Sequence, residues 1–436
     1  MEYEEEVLLF LLLLRRRRRR CKLRERAKRK RTCWVRNIFR KGKEQGDYNN
    51  LVRELQPADR EFYFRYMRMS RDTFQHLLTL VSPFITKKDT HMREAIGAAE
   101  RLALTIHYLA YGDSQQSLSF GYRISRSSVS SIIHETCAAI WEALNKVYLR
   151  PPQHSHEWKA ISEEFHAMWN FPHCLGAIDG KHIAIQCPLK SGSLYYNYKG
   201  FFSIVLLAVC DANYSFTYVD IGSYSCNNDS SVLNNCELGK AAESGRLCFP
   251  PSEPLDGFAH SPVPYFFVGD EAFGLKPWIQ RPYPGKNLPE DKRIFNYRLS
   301  RARRTVENSF GILAARWRIF HHPIQTKVET AENIVKAAIC LHNYVRQTNG
   351  ATYSPAGFID SEDATGQIKP GEWRAIVSED GTSGALRPLP LPRGARYSTV
   401  ANEARETLRD YVNSNHGSVP WQKNVVRSRG ITYVAT

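Results

Sequence analysis

Two aspartates close strand-like runs of this 436-residue chain, and a glutamate lies among arginines in a long helical pattern. Asp179 lies in GAIDGKHIAI, Asp270 ends YFFVGD, and Glu307 lies in RRTVENSFGILAARWR. Acidic side chains at strand ends, next to glycine, can closely approach a shared ligand. Like charges about 4 Å apart repel by roughly 4 kcal/mol, so their convergence requires cations. The pattern therefore favours a fold in which strand ends meet a helix.

Three converging carboxylates provide the oxygen ligands that Mg²⁺ and Mn²⁺ prefer. Two such ions about 4 Å apart can activate a water and stabilise the leaving 3′-oxygen of a phosphodiester. We therefore predict that Asp179, Asp270 and Glu307 are catalytic and bind the metal ions. For Glu307 the local sequence leaves an alternative open, an ordinary ion pair with Arg303 or Arg304.

The net charge of +16 is concentrated near the N-terminus, where residues 1–46 hold 17 Lys and Arg against 6 Asp and Glu. The basic run at 15–31 is typical of a nuclear-import signal, of an arm that grips phosphate, or of a solvated charge run. The apolar run at 7–14 is too short for a hydrocarbon core of about 30 Å. We expect a nuclear protein, with cytoplasm as a second location, that makes no membrane contact.

Apolar residues recur at helical spacing after residue 50, which predicts an all-α domain over residues 51–150. Its last part predicts a short helix, a turn and a long helix, as in helix-turn-helix units. In such units the start of the second helix faces the DNA major groove, and Arg126, Ser127 and Ser128 hold that position here. Plain helical bundles share this geometry, so a purely structural role is the alternative.

Strand-like runs and helices then alternate, which predicts an α/β domain over residues 160–348. The strand candidates are 174–186, 201–210, 216–222 and 265–270, and the helix candidates are 230–243, 292–319 and 332–346. We expect residues 1–50 to be a disordered leader. Residues 349–436 are expected to be a partly disordered extension with a short helix.

Other polar residues have two interpretations each. Asp229 is either a metal ligand or the N-cap of the next helix, and we predict the cap. Lys199 and its neighbouring tyrosines either hold the DNA strand being cut or belong to ordinary aromatic packing. Arg303 and Arg304 belong to a cationic helix face that we predict to contact the DNA backbone, with solvated surface as the alternative.

Several motifs between about residue 99 and residue 346 resemble those of the PIF/Harbinger superfamily of DDE transposases and its Harbinger transposase-derived nucleases. They include GAIDGKHIAI, FFVGDEAF, RPYPG, RRTVENSFGILAARWRIF and IVKAAICLHNYVR. The resemblance implies an RNase H-like catalytic domain, a mixed sheet flanked by helices. In such domains the first acid lies on the first strand, the second follows the fourth strand, and the glutamate lies on a later helix. Asp179, Asp270 and Glu307 match those positions.

The resemblance implies a nuclease or transposase that hydrolyses DNA phosphodiesters with Mg²⁺ or Mn²⁺. It also implies a separate Myb-like protein partner that carries much of the DNA recognition and nuclear entry. The alternative is a domesticated DNA-binding or scaffold protein without catalytic turnover. The presence of all three acids, Asp179, Asp270 and Glu307, argues against it. The sequence leaves a monomer and a homo-oligomer equally open.

Overall fold

In the computed structural model, the described residues are 13–17, 35–91, 94–224, 229–363, 365–378, 385–388 and 398–428. They form a mixed α/β fold in which helices cover a six-stranded mixed sheet. Most of the leader predicted over residues 1–50 lies outside the described residues. Within the described ranges, no helix is long and apolar enough to cross a bilayer.

Helices precede the first strand. They are α1 (Asn37–Arg40), α2 (Gly42–Gln45), α3 (Arg53–Ala58), α4 (Arg60–Met67), α5 (Arg71–Ile85), α6 (Ala98–Tyr111), α7 (Gln115–Gly121), α8 (Arg126–Tyr148) and α9 (Ser155–Trp169). Serine side chains cap α7 and α8, because Ser114 accepts a hydrogen bond from the Ser117 N–H at 3.1 Å and Ser125 accepts one from the Ser128 N–H at 3.3 Å. These caps fix where the two helices begin.

The strands follow the apolar runs of the sequence. They are β1 (Cys174–Ala184), β2 (Ser203–Cys210), β3 (Phe216–Tyr224), β4 (Glu253–Leu255), β5 (Phe258–Val263), β6 (Phe266–Val268) and β7 (Ile279–Gln280). The sheet order is β3-β2-β1-β6-β7. Strands β1 to β3 are antiparallel, whereas β6 and β7 run parallel to β1. Strands β4 and β5 form a separate hairpin.

Later helices complete the layers. They are α10 (Asp229–Asn235), α11 (Glu237–Glu243), α12 (Glu290–Arg316) and α13 (Val328–Tyr353), with a 3₁₀ turn at Arg318–His321. The single helix predicted over 230–243 is divided at Cys236, whose sulfur accepts a hydrogen bond from the Gly239 N–H at the start of α11.

The segment after residue 353 holds more regular structure than the one short helix that the sequence predicts. Its elements are β8 (Ser361–Glu362), β9 (Ile368–Lys369), α14 (Glu372–Ser378), β10 (Leu386–Pro388), α15 (Thr399–Asn413) and α16 (Gln422–Ser428). Strand β10 pairs with β1. The C-terminal extension is therefore part of the folded body over its described residues.

One continuous apolar core joins the N-terminal helices to the sheet. It extends from Val52 to Val426 and includes residues of α5, α8, α12 and α13. A polar contact spans the same region, since the Tyr344 hydroxyl of α13 donates to the Thr73 carbonyl of α5 at 2.8 Å. The residues predicted as a domain over 51–150 thus share their core with the sheet.

Candidate active site

Asp179 lies on β1, and Asp270 lies just after β6, the parallel strand beside β1. Ala177 of β1 is paired with Val268 of β6, and each aspartate follows two residues later. Neighbouring strands lie about 4.8 Å apart, and residues two apart on a strand share a face. The register therefore brings two acids that are distant in sequence to one face of the sheet.

The nearby carboxylate changes the protonation of Asp270. Burial of the Asp270 carboxyl and, after it, the negative charge of Asp179 raise the pKa of Asp270 to about 6. The positive charges of Arg303 and Lys181 act in the opposite direction, as does the Ala272 N–H, which donates to Asp270 Oδ1 at 2.8 Å. Asp270 consequently holds a proton at a higher pH than an exposed aspartate does.

Glu307 reaches the same face from α12, because the apolar stripe of this helix packs onto the sheet. Ala302, Val306 and Phe310 of that stripe are buried. Glu307 follows Val306 at the margin of the stripe, with 34% of its side chain exposed. Its carboxylate is ion-paired with Arg303, one turn earlier on the helix. The ion pair that the sequence leaves open as an alternative is therefore formed.

Arg303 interacts with all three acids. Burial disfavours its charge, but the charges of Glu307, Asp179 and Asp270 and a hydrogen bond to Glu307 raise the pKa of the Arg303 guanidinium above its ordinary value. The charges of three carboxylates, one on β1, one just after β6 and one on α12, thus act on the same cation.

Lys181 is a second cation in the site, and the sequence-based set of functional residues lacks it. Its Nζ is 2.8 Å from Asp179 Oδ2 and 5.6 Å from the ring centre of Phe310. Burial lowers the pKa of the Lys181 amine, but the charges of Asp179 and Glu307 outweigh burial and raise it. Residues 179 and 181 share a face of β1 by alternation, and that signal was available in the sequence.

The donor chemistry of the site fits a divalent metal ion. Two cations face three carboxylates, and Asp179 Oδ2 is a buried oxygen that makes no hydrogen bond to a described residue. Its ion-pair partner among the described residues is Lys181, whose Nζ lies 2.8 Å away. Carboxylate oxygens of this kind are ligands for Mg²⁺ and Mn²⁺.

The side-chain arrangement is that of an ion-paired state. Among the described residues, no three His, Cys, Asp or Glu side chains are grouped so as to hold one metal ion. Asp179 faces Lys181, and Glu307 faces Arg303. Binding of a metal ion by Asp179 and Glu307 would therefore exchange these internal partners for the metal.

We expect Asp270→Asn to stabilise the metal-free protein at pH 7.5 by about 3 kcal/mol. The pKa of Asp270 lies above its ordinary value, so the stability that this group contributes is complete below pH 4 and is lost as the pH rises through about 6. The gain of the variant should therefore vanish at pH 4. Urea unfolding at the two pH values, with metal chelated, measures the difference.

Asp211→Asn is the matched comparison for this effect. Burial also raises the pKa of Asp211 to about 6. Asp211 lies in the turn after β2, where its Oδ1 accepts hydrogen bonds from the N–H groups of Asn213 and Ser215 at 2.9 and 2.8 Å. Mg²⁺ should cancel the gain of Asp270→Asn and leave that of Asp211→Asn unchanged. A gain at Asp270 that is insensitive to both pH and Mg²⁺ would contradict this account.

The other predicted site residues lie apart from the carboxylates or are not described. Asp229 begins α10, but its side chain lies outside the described residues, so the predicted cap stays a prediction.

Lys199 Nζ is 5.5 Å from the ring centre of Tyr198. Burial and the charge of Lys199 lower the pKa of His182 to about 4. By alternation His182 lies on the face of β1 opposite Asp179, which places Lys199 away from the three acids.

Arg304 points toward the C-terminal extension. It is 6% exposed, burial lowers the pKa of its guanidinium, and the charges of Glu362 and Glu307 act against that shift. The burial argues against a direct contact of Arg304 with DNA, which is the role that the sequence predicts. Arg303, with 25% of its side chain exposed, is the more accessible of the two arginines.

Arg126 and Ser127 are exposed at the start of α8, and Ser128 is half-buried. The Ser128 hydroxyl is 2.8 Å from the hydroxyl of the capping Ser125. Arg126 and Ser127 therefore present side chains to solvent at the helix start, whereas Ser128 takes part in the cap. Contact of these residues with DNA stays a prediction.

Residues 178–343 match the sequence profile of the family described as DDE superfamily endonuclease. This match includes all three carboxylates and is joined by similarity to relatives named ALP1-like and HARBI1. The chain contains a DDE superfamily endonuclease domain. The matched region begins within β1 and ends within α13, so this DDE chain also has long segments on both sides of the matched region.

Similarity to the relatives is distant. The DDE chain is 28% identical over 274 residues to the ALP1-like protein of Arabidopsis thaliana. The aligned region covers 61% of this chain and 65% of that protein. It is 25% identical over 300 residues to the protein Antagonist of Like Heterochromatin Protein 1 of the same plant, covering 66% and 74%. It is 22% identical over 293 residues to HARBI1 of Rattus norvegicus, named as a candidate nuclease, covering 66% and 79%. No solved structure matches the chain.

Proposed function

We propose that the protein is a metal-dependent DNA endonuclease of the Harbinger type with an RNase H-like catalytic domain. The sheet order, with three antiparallel strands followed by two strands parallel to β1, supports this assignment. The observation that carries the proposal is the pairing of β1 with β6, which brings Asp179 beside Asp270, while the charges of both acids and of Glu307 act on Arg303. These carboxylates come from the first strand, the end of β6 and α12, in the order that the family resemblance implies.

Mg²⁺ or Mn²⁺ ions held by Asp179, Asp270 and Glu307 would supply a two-metal mechanism, with activation of water and stabilisation of the leaving 3′-oxygen. The side chains of the protein have separate tasks. Asp270, with a pKa of about 6, is mostly ionised at neutral pH and is then available as a ligand. Lys181 and Arg303, once released from their carboxylates, can donate hydrogen bonds to phosphate oxygens of DNA.

The test is a cleavage assay with the full chain on supercoiled plasmid and on short duplex DNA. We expect nicking with Mg²⁺ or Mn²⁺ and none in excess EDTA, because the carboxylates need a divalent partner to act together. DNA binding should weaken steeply with salt, since phosphate contacts release counterions. Cleavage of equal rate in EDTA would overturn the metal-dependent mechanism.

A second candidate is a DNA-binding or scaffold protein that keeps the fold without turnover. The ion pairs of Asp179 with Lys181 and of Glu307 with Arg303 favour it, because they neutralise two of the three acids internally. This candidate predicts salt-sensitive DNA binding without cleavage under any metal condition. A pull-down for a Myb-like partner, followed by the same assay with that partner added, separates lost catalysis from a missing partner.

The segments outside the matched region have proposed roles in DNA binding. The exposed Arg126 and Ser127 at the start of α8 are placed to contact DNA as in helix-turn-helix units. The basic run at 15–31 suits nuclear import or phosphate binding. Replacing Arg126 by Ala should weaken duplex binding without changing the metal requirement of cleavage.

A further inference from the structure

The C-terminal extension packs against both elements that carry the acids. In β10, Leu386 is paired with Ile183 and Pro388 with Lys181, so this strand lies beside the part of β1 that contains the buried lysine. Just before β10, the Ala385 N–H donates to the Phe320 carbonyl at 2.7 Å. The region that matches the DDE family ends at residue 343. Ala385 and β10 therefore form a wall beside the candidate active site, and both lie outside the matched domain.

Trp373 fixes a second part of this segment next to Glu307. Gly311 lies one turn after Glu307 on α12, and a Cβ atom at residue 311 would lie 2.4 Å from the Trp373 indole. The indole Nε1 donates to Asn308 Oδ1 at 3.1 Å. The space that the glycine leaves open is thus filled by the chain itself, and the start of α14 is fixed to the helix that carries Glu307.

Arg374, the next residue, is held in place by a buried acid. Its Nε lies 2.9 and 3.1 Å from the two carboxylate oxygens of Asp360, and its Nη2 lies 2.5 Å from Oδ2. The Asp360 side chain is 0% exposed, whereas that of Arg374 is 46% exposed. The guanidinium carbon lies 4.5 Å from the ring centre of Trp373. Asp360 therefore holds the guanidinium through Nε and Nη2, and Nη1 takes no part in these contacts.

The fixed guanidinium also lies near the carboxylate site. Trp373, the residue before Arg374, packs on Gly311 one turn after Glu307, and the hydrogen bonds that Arg374 donates to Asp360 and the charge of Glu307 both raise the pKa of Arg374. A cation that is already ordered loses little conformational freedom when it binds a second anion. The planar fork of an arginine also suits phosphate oxygens better than the single amine of a lysine.

We propose that Arg374 binds a phosphate group of the DNA backbone and so helps to place the strand beside Asp179, Asp270 and Glu307. This inference rests on the proposed DNA-cleaving function. Arg374 positions the substrate and takes no part in the reaction of the phosphodiester. The C-terminal extension then contributes to substrate binding as well as to folding.

The experiment compares full-length Arg374→Ala with wild type in two assays. With Ca²⁺ and a short duplex, the variant should bind about 10-fold more weakly. The slope of its binding affinity against salt concentration should fall by the amount expected for the loss of about one phosphate contact. With Mg²⁺, KM should rise by a similar factor while kcat changes less than about 3-fold. Arg374→Lys should recover only part of the affinity, because it retains the charge without the planar fork.

Arg427→Ala is the matched control, because Arg427 is an exposed arginine of the same extension that pairs with Glu290. It should retain wild-type affinity and salt dependence. Asp360→Asn/Arg374→Ala removes both partners, so it tests the phosphate contact without leaving Asp360 as a buried unpaired charge. Wild-type affinity in folded Arg374→Ala or in the double variant would overturn the inference. Absence of DNA binding and cleavage in wild type would instead overturn the proposed function.

Discussion

Asp179→Asn and Glu307→Gln will each lower the rate of Mg²⁺-dependent DNA cleavage by at least about 10²- to 10³-fold. Each substitution keeps the size of the side chain and removes the negative charge on which metal binding depends. The duplex should still bind, because the cations of the site are unchanged and one repulsive charge toward phosphate has gone. Rates on a short labelled duplex, with affinity measured in Ca²⁺, separate loss of chemistry from loss of binding.

Stability measurements show whether a lost activity reflects the site itself. Glu307→Gln removes a partly exposed ion pair, for which we expect a change below about 1 kcal/mol. Asp179→Asn leaves the largely buried Lys181 without its partner, so Asp179→Asn/Lys181→Met is the companion variant. Asp211→Asn, a buried acid in the turn after β2, should cleave at the wild-type rate. Undiminished cleavage by Glu307→Gln would exclude the proposed site.

The sequence predicts the positions of these acids because each depends on local structure. Apolar runs indicate β1 and β6, and the helical rhythm of Phe295, Leu299, Ala302 and Val306 indicates α12. What it does not specify is the register between β1 and β6, which places Asp179 beside Asp270. That register depends on pairing between segments far apart in the chain, and only the family resemblance implied it.

The internal partners of the acids depend on tertiary packing to different degrees. Alternation along β1 indicates that Lys181 shares a face with Asp179, so this cation was predictable. The burial of Arg304 was not predictable, because it depends on tertiary packing, and the charge of Glu362 in the C-terminal extension acts on its guanidinium. The role of Gly311 likewise depends on Trp373, a residue 62 positions later in the chain.

Residues 361–363, 365–378 and 385–388 show why composition alone does not predict the short elements of the extension. The segment is rich in Gly and Pro, and its helices and strands are short. Short elements of this kind are stable only when they pack against a larger body. Here β10 pairs with β1, and Trp373 packs on α12. Over its described residues, the extension is therefore held by contacts that its own sequence does not reveal.

We expect Glu362→Ala to destabilise the protein by about 3 kcal/mol, because it removes one partner of a buried ion pair. Arg301 Nε lies 2.6 Å from Glu362 Oε2, and the two side chains are 6% and 9% exposed. The Tyr297 hydroxyl also donates a hydrogen bond to Glu362. The substitution therefore leaves a buried guanidinium without its counter-charge and the Tyr297 hydroxyl without its acceptor, although Arg301 keeps its hydrogen bonds to Trp169 and Asn170. Urea unfolding at pH 7.5 measures the loss.

Glu142→Ala is the control for this prediction, since Glu142 pairs with Lys146 on the exposed face of α8. Its effect should stay below about 0.5 kcal/mol. Glu362→Gln should lie between the two, because its amide oxygen can still accept a hydrogen bond while the charge is lost. Equal stabilities of Glu362→Ala and Glu142→Ala would mean that the extension contributes little to the fold. The segment that carries Arg374 would then have no rigid support beside Glu307.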